Sequence, residues 1–350
     1  MVRSDSLEQA HRVEAGGMTD FLRIGLIGTG YAAKLRAEAL RSQPHAKLVA
    51  VAGHTPEKTQ EFSQIHHTIA VDHWLDLVQQ SDLDLIMIAG VNRDHGAMVR
   101  AVLQTGKHAI VEYPLALDPL EATELIALAK AQHKLLHVEH IELLGGVHQA
   151  LKATLPHIGT PFYARYSTIK PERPAPQKWT YSPDLFGFPL VGALSRLHRL
   201  TDLFGQVATV NCQAKFEPGA GSPPTDDSRS YRACLCTAQL RFQSGLLAEV
   251  TYGKGETLWQ AERRFEVQGE QGAIVLQGEQ GELIQAQGRQ LIEVGSRRGL
   301  FAKDTAIVID HLRHHTPRYV TPEASLYTLK VADAARRSAA TGQTIPVEDS

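Results

Sequence analysis

The chain has 350 residues, with 36 Lys and Arg against 38 Asp and Glu, a net charge of −2, and 43% hydrophobic residues. That length exceeds a usual single domain and points to two, while the balanced charge gives no global field to draw the chain to nucleic acid. No apolar run approaches the roughly 18 residues of a membrane span, so neither nucleic acid nor membrane is an expected partner.

Residues 1–20, "MVRSDSLEQAHRVEAGGMTD", are polar and lack the apolar core of a signal peptide; they read as a disordered leader. Three cysteines, Cys212, Cys234 and Cys236, fit a reducing, cytoplasmic setting. The C-x-C pair has no second ligand pair, so it predicts half-buried strand thiols and no metal site.

From residue 21 the chain alternates. "FLRIGLIGTGYAAKLRAEAL" reads as strand, glycine turn and helix, and "AKLVAVAGHTPEK" as a second strand and a helix start with Thr55 as N-cap and Pro56 behind it. Residues 82–140 continue strand, helix, strand, helix, strand, with Asp118-Pro119-Leu120-Glu121 as a helix entry. This alternation predicts a parallel sheet covered by helices, spanning 21–140. His137, Glu139 and His140 close that domain; they lack a convincing third ligand for a metal.

Beyond about residue 145 the pattern becomes β-rich: "TPFYARYSTIK", "YRACLCTAQLRFQ", "GLLAEVTYGKGE" and the runs through residue 286 predict a large, mostly antiparallel sheet. "PLVGALSRLHRLTDLFG" is the one strong helix pattern among them, "EPGAGSPPTDDSRS" is a surface loop, and "PEASLYTLKVADAARRSAA" is a final helix expected to pack back on the first domain. The fold class is therefore α/β, an N-terminal Rossmann dinucleotide-binding domain followed by an α+β domain over 141–350.

Gly28-Thr29-Gly30-Tyr31-Ala32-Ala33 is G-x-G-x-x-A between a strand and a helix. Gly28 permits the tight turn, Gly30 admits a pyrophosphate to the backbone, and Ala33 keeps the helix close to the sheet. The helix N-terminus offers free N–H groups to the phosphates. About twenty residues on, the second strand ends in Gly53-His54-Thr55-Pro56-Glu57-Lys58, where NAD enzymes usually carry an acid for the ribose. The absence of an acid at the strand end, with His54, Thr55 and Lys58 nearby, favours NADPH over NADH.

The glycine motif, then "IAGVNRDH", then "GKHAIVEYPLAL" resembles the Gfo/Idh/MocA oxidoreductase family. That family normally reads Glu-Lys-Pro in the third segment, its lysine assisting proton transfer at a sugar hydroxyl, with an aspartate and a histidine on a helix of the second domain. Here Tyr113 replaces the lysine, and Ser195, Arg196, His198 and Arg199 occupy the helix. These departures, with "VEYPLAL", "HVEHIELLGGVHQA", "FGFPLVGALSRLHRLTDLFG" and "VGSRRGLF", resemble the biliverdin reductase branch of the family, cyanobacterial type, from about residue 21 to 340.

The resemblance implies hydride delivery from NADPH to the central methine carbon of biliverdin, with a proton arriving on a pyrrole nitrogen. Such a reaction needs no base for an alcohol. It needs a flat slot, anchors for two propionates, and polarisation of the conjugated system. Tyr113 then serves as an aromatic platform with a hydrogen-bonding OH, and Arg196 as an electrostatic group too basic to donate its own proton. Arg199, three residues on, is a second carboxylate anchor. Arg165 or Tyr166 faces the cofactor, Glu112 fixes its loop through backbone N–H groups, Trp179 and Phe186 wall the slot, and Arg297 and Arg298 neutralise carboxylates or phosphate. Ala89, Val91, Asn92 and His95 join the cofactor site by the same resemblance. A sugar or inositol dehydrogenase, or a non-catalytic NADP-binding sensor, remains an alternative, and the oligomeric state, monomer or homodimer, is open.

Overall fold

The computed structural model describes residues 21–219 and 230–348. The leader over 1–20 and most of the loop over 217–230 lie outside the described residues.

In the first half, β1 (Leu22–Ile27), β2 (Ala46–Ala52), β3 (Ile69–Val71), β4 (Leu85–Ile88), β5 (His108–Val111) and β6 (Leu136–Val138) pair in parallel in the order β3-β2-β1-β4-β5-β6. The intervening helices are α1 (Tyr31–Arg41), α2 (Pro56–His66), α3 (Trp74–Gln79), α4 (His95–Gln104) and α5 (Pro119–Ala131). β4, Leu-Ile-Met-Ile, is buried throughout because both faces of the sheet are covered. Its alternate residues serve two cores: Leu85 and Met87 pack with Ala33, Ala37 and Leu40 of α1, while Ile86 and Ile88 pack with Val99, Val102 and Leu125 of α4 and α5.

Local chemistry explains the helix starts. Asp118 accepts from the Leu120 N–H at 2.8 Å, and Pro119 opens α5 where its missing N–H costs nothing. Thr55 stands at the N-cap of α2 but its side chain makes no cap bond, contrary to expectation; its carbonyl instead accepts from both N and Oγ1 of Thr59.

The second half contributes β7 (Pro161–Pro171), β8 (Val207–Pro218), β9 (Tyr231–Phe242), β10 (Leu247–Gly255), β11 (Glu262–Gly269), β12 (Gly272–Gln277), β13 (Gln280–Gln285), β14 (Gly288–Ile292) and β15 (Ile345–Pro346). Their order is β14-β13-β12-β11-β7-β10-β9-β8-β15, antiparallel except between β7 and β10. The helices are α6 (Gly146–Thr154), α7 (Pro183–Phe186), α8 (Pro189–Gly192), α9 (Ser195–Phe204), α10 (Leu300–His314) and α11 (Pro322–Thr341).

Three features differ from the sequence reading. The single helix expected over 189–205 is broken at Ala193 and Leu194, where the chain bends as Gly192 packs its backbone on the Phe186 ring; a Cβ there would come within 2.4 Å of it. α10 was not foreseen, because its apolar positions are interrupted by Asp304 and Thr305, which are themselves buried. All three cysteines are free and buried, and Cys234 and Cys236 are fully buried rather than half-buried. α11 lies against α5 and β6 of the first half and against β8 and α9 of the second, while α10 lies on α1.

Candidate active site

The strand order reverses between β1 and its neighbours β2 and β4, and at their C-terminal ends opens a cleft of about 1620 Å³. A cleft outside the carboxyl ends at such a switch point is where open α/β sheets bind ligands. Its volume exceeds the roughly 300–1,000 Å³ of a single drug-sized ligand site, leaving room for a dinucleotide and a second molecule.

Gly28, at φ +118, could not carry a side chain: a Cβ would sit 2.4 Å from the Ala89 carbonyl oxygen. At Gly30 a Cβ would meet nothing within 4 Å, so the protein's own packing does not require glycine there. Close approach of a phosphate to the bare backbone at the start of α1 supplies the missing reason, and the site fits a dinucleotide.

Thr29, Tyr31, Ala32, His54, Ala89, Val91, Asn92 and His95 also line the cleft. Two of them also hold the site together. Asn92 Nδ2 donates to the Phe186 carbonyl at 3.0 Å, tying the first half to the slot wall. His95 is buried with its ring nitrogens 2.8 Å from the Pro114 carbonyl and 3.4 Å from the Gly90 carbonyl, between the loops after β4 and β5; burial lowers its pKa, and the neutral ring donates to one of the two. Thr55 and Lys58 do not line the cleft, and Lys58 points to solvent from α2.

Below the cleft lies a buried charge network that sequence reasoning missed. Arg36 of α1, wholly buried, pairs with Asp304 of α10 and, through Nε at 3.0 Å, with Glu112. Glu112 therefore answers a guanidinium, not the backbone N–H groups expected of it. Asp304 also takes His137 Nε2 at 2.8 Å and the Tyr319 OH at 2.7 Å. Although burial alone would raise it, Arg36 and His137 hold Asp304 well below the usual carboxylate range. Glu139, buried beside Glu112, is pushed well above that range by desolvation and by its acidic neighbour. The available signal was an acid, Asp304, on the apolar face of a helical pattern.

Tyr113 follows β5 and lines the cleft. Its OH donates to Ser195 Oγ at 3.1 Å, and its ring stacks on His140 with centroids 5.2 Å apart and planes 8° from parallel. Desolvation lifts the phenol to about 12 against the pull of Arg196. His140 is itself fixed by Ser325 at 2.8 Å, and burial keeps it neutral. Arg196 donates through Nη1 to the same Ser195 Oγ at 2.7 Å and lies 5.6 Å from the Tyr252 ring centroid. It stands two hydrogen bonds behind the cleft lining, reaching Tyr113 through Ser195.

The remaining anchors divide. Trp179 and Phe186 do form a cleft wall, their rings 5.8 Å apart. Arg199 is buried and paired with Glu142, which also takes Arg297; the geometry thus makes it a partner of the lining rather than an exposed anchor. Arg165 points away from the cleft, because alternation on β7 gives that face to Tyr166 and Thr168; Arg165 instead faces Glu262 at 3.8 Å on the opposite side. Arg297 and Arg298 line the cleft mouth. Among the described residues no cluster of three or more His, Cys, Asp or Glu is placed to hold a metal ion, and no helix is long and apolar enough to cross a membrane.

Comparison with known proteins meets this geometry from outside. Residues 22–140 match the GFO_IDH_MocA description "Oxidoreductase family, NAD-binding Rossmann fold", and residues 156–348 its "C-terminal alpha/beta domain". The chain is similar to the crystal structure of biliverdin reductase in complex with biliverdin and NADP+ from Synechocystis sp. PCC 6803, at 48% identity and a TM-score of 0.87, covering 91% of this chain and 99% of that one. It is 29% identical to biliverdin reductase A of Mus musculus over 53% of this chain and 59% of that protein. With biliverdin reductase A of Homo sapiens the identity is 28% over the same shares. The chain thus spans somewhat under two thirds of these two curated relatives.

Proposed function

The chain belongs to the Gfo/Idh/MocA oxidoreductase family, and from that premise we propose that it reduces biliverdin to bilirubin with NADPH. The observation that carries this reading is Tyr113. It stands where the family's lysine would stand, without a charge, stacked on neutral His140 and lining one cleft with the Trp179–Phe186 wall. Aromatic faces of this kind suit a planar conjugated substrate, and the family's lysine, the base for a sugar hydroxyl, is absent from this position. The 48% identity to a biliverdin reductase crystallised with biliverdin and NADP+ supports the same reading.

When bound, the nicotinamide supplies the hydride. The residues of this chain do the rest. The Gly28–Ala32 turn and the start of α1 would take the pyrophosphate, and His54, at the end of β2 where NAD enzymes usually carry an acid, would hold the ribose end without repelling a 2′-phosphate itself. Tyr113 and the Trp179–Phe186 wall would hold the bilin in the cleft, and fixing it there would lower the entropic cost of transfer. Arg196, held on Ser195, stabilises negative charge that develops on the tetrapyrrole as hydride arrives, and the cations Arg297 and Arg298 at the mouth attract the propionates. A cytoplasmic setting, consistent with three free buried thiols, belongs to the same proposal.

The test is direct. Purified protein is mixed with biliverdin and NADPH, and the absorbance is followed as green pigment turns yellow. Absence of any yellow product, with NADP+ still binding, would leave a cofactor-binding protein without this activity.

A further inference from the structure

Behind the Trp179–Phe186 wall lies a buried lysine that the chemistry above does not use. Lys254, near the end of β10, is 5% exposed. Four aromatic rings enclose its Nζ, with centroids at 4.1 Å (Phe186), 4.7 Å (Tyr181), 5.5 Å (Tyr231) and 5.9 Å (Tyr252). Its hydrogen bond goes to the Thr180 carbonyl, which also accepts from the Tyr231 OH at 3.1 Å. Among the described residues it has no carboxylate partner at ion-pair distance. Thr180 and Phe186, which it grips, face the cleft on their other side.

An ammonium enclosed by rings attracts each of them through their quadrupoles. Here that attraction pulls one ring and one carbonyl of the cleft wall towards the second sheet. We propose that Lys254 is a positioning residue for the substrate: its ammonium holds Thr180 and Phe186 in the register that a planar, dicarboxylate-bearing ligand requires. The inference rests on the reading above, in which this wall meets the bilin.

The surroundings make the grip sensitive to pH. The titratable and charged groups facing Lys254 are Lys170 of β7 and Glu172 just after it, Tyr231 and Cys234 of β9, Tyr252 of its own strand, Tyr181 before α7, and Arg196 of α9. Burial dominates and lowers Lys254 to about 8; Cys234 and Glu172 oppose the shift, and Arg196 and Lys170 add to it. Between about pH 8 and its ordinary 10.5 the unfolded chain holds a proton that the folded chain has released, so overall stability rises with pH in this window. Over the same window the ammonium's hold on the wall is lost, so substrate affinity falls. A merely structural lysine would not move the two in opposite directions.

The experiment titrates biliverdin into the protein saturated with NADP+, without turnover, between pH 7 and 9.5, alongside melting temperatures. Wild type should lose affinity by on the order of tenfold across the range while its melting temperature does not fall. Lys254→Met fills the cage with an uncharged chain of similar length, so it should fold at least as stably, bind biliverdin about tenfold more weakly at pH 7, and lose the alkaline drop. Wild-type affinity and an unchanged pH profile in K254M would overturn the proposal. If wild type does not bind biliverdin at all, the functional reading fails by itself, and backbone hydrogen exchange over 179–187 in the ligand-free protein judges the lysine. Faster exchange in K254M upholds its grip on the wall, and equal exchange overturns it.

Discussion

Tyr113 hydrogen-bonds Ser195 at 3.1 Å, across the boundary between the two halves of the chain. Arg196 approaches the same oxygen, so one hydroxyl links the phenol of the cleft to the guanidinium behind it. The phenol, lifted by burial, stays protonated at neutral pH and contributes a ring and one hydrogen bond, not a base.

Replacing Tyr113 with Phe keeps the ring on His140 and deletes the bond to Ser195. A neutral hydrogen bond is worth about 0.5–1.5 kcal/mol, a loss of roughly two- to twelvefold in single-turnover hydride transfer. Tyr113→Ala, which also removes the platform, should be clearly slower. A thousandfold collapse in the Phe variant would assign proton transfer to the phenol itself.

Arg196→Ala should lower turnover by about 10²–10³ while leaving NADPH affinity near wild type, because it removes a preorganised electrostatic donor and no cofactor contact. Arg196→Lys should recover only part, since an ammonium lacks the planar fork that reaches both Ser195 and Thr168. Steady-state kinetics varying each substrate in turn distinguishes the outcomes. Unchanged turnover in the Ala variant would make Arg196 structural.

His54→Asp should erode a preference for NADPH over NADH. A charge-assisted phosphate contact is worth roughly 1.5–3 kcal/mol, so wild type should favour NADPH by about tenfold or more in kcat/KM. Equal efficiency with both cofactors in wild type would remove the premise.

Asp304→Asn should destabilise the fold by about 3–5 kcal/mol in denaturant unfolding, because it leaves Arg36 buried without its main counter-charge. The wild-type contribution has a definite pH sign. With its folded pKa depressed, Asp304 stabilises fully above its ordinary 3.8 and loses that contribution as pH falls below it. The variant should therefore show a shallower acid limb between pH 5 and 2.

Glu139→Gln should act in the opposite sense. Glu139's pKa is raised in the fold, so the unfolded chain ionises first and wild-type stability declines as pH rises from about 4.5 towards the raised folded value. Gln keeps the shape and removes that decline. Its stability advantage should be absent at pH 4 and present at pH 7, as read from chemical denaturation at the two values.

What the sequence determined by itself were the features that short-range chemistry controls. The strand–glycine–helix turn at Gly28–Ala33, the capping aspartate at Asp118 and the change from alternating α/β to β-rich pattern each depend on residues within a few positions of one another. So does the substitution of tyrosine at the family's lysine position. Tertiary structure alone decided which distant groups meet. Arg36 and Asp304 are 268 residues apart and share one buried ion pair. Arg165 and Tyr166 are adjacent, yet strand alternation sends one to Glu262 and the other beneath Arg199. Lys254 acquires its character from rings contributed by residues 181, 186, 231 and 252. Burial, and the partner met on burial, set the charge behaviour of Arg36, Asp304 and Lys254. Both arise from long-range packing, on which local sequence spacing carries no information.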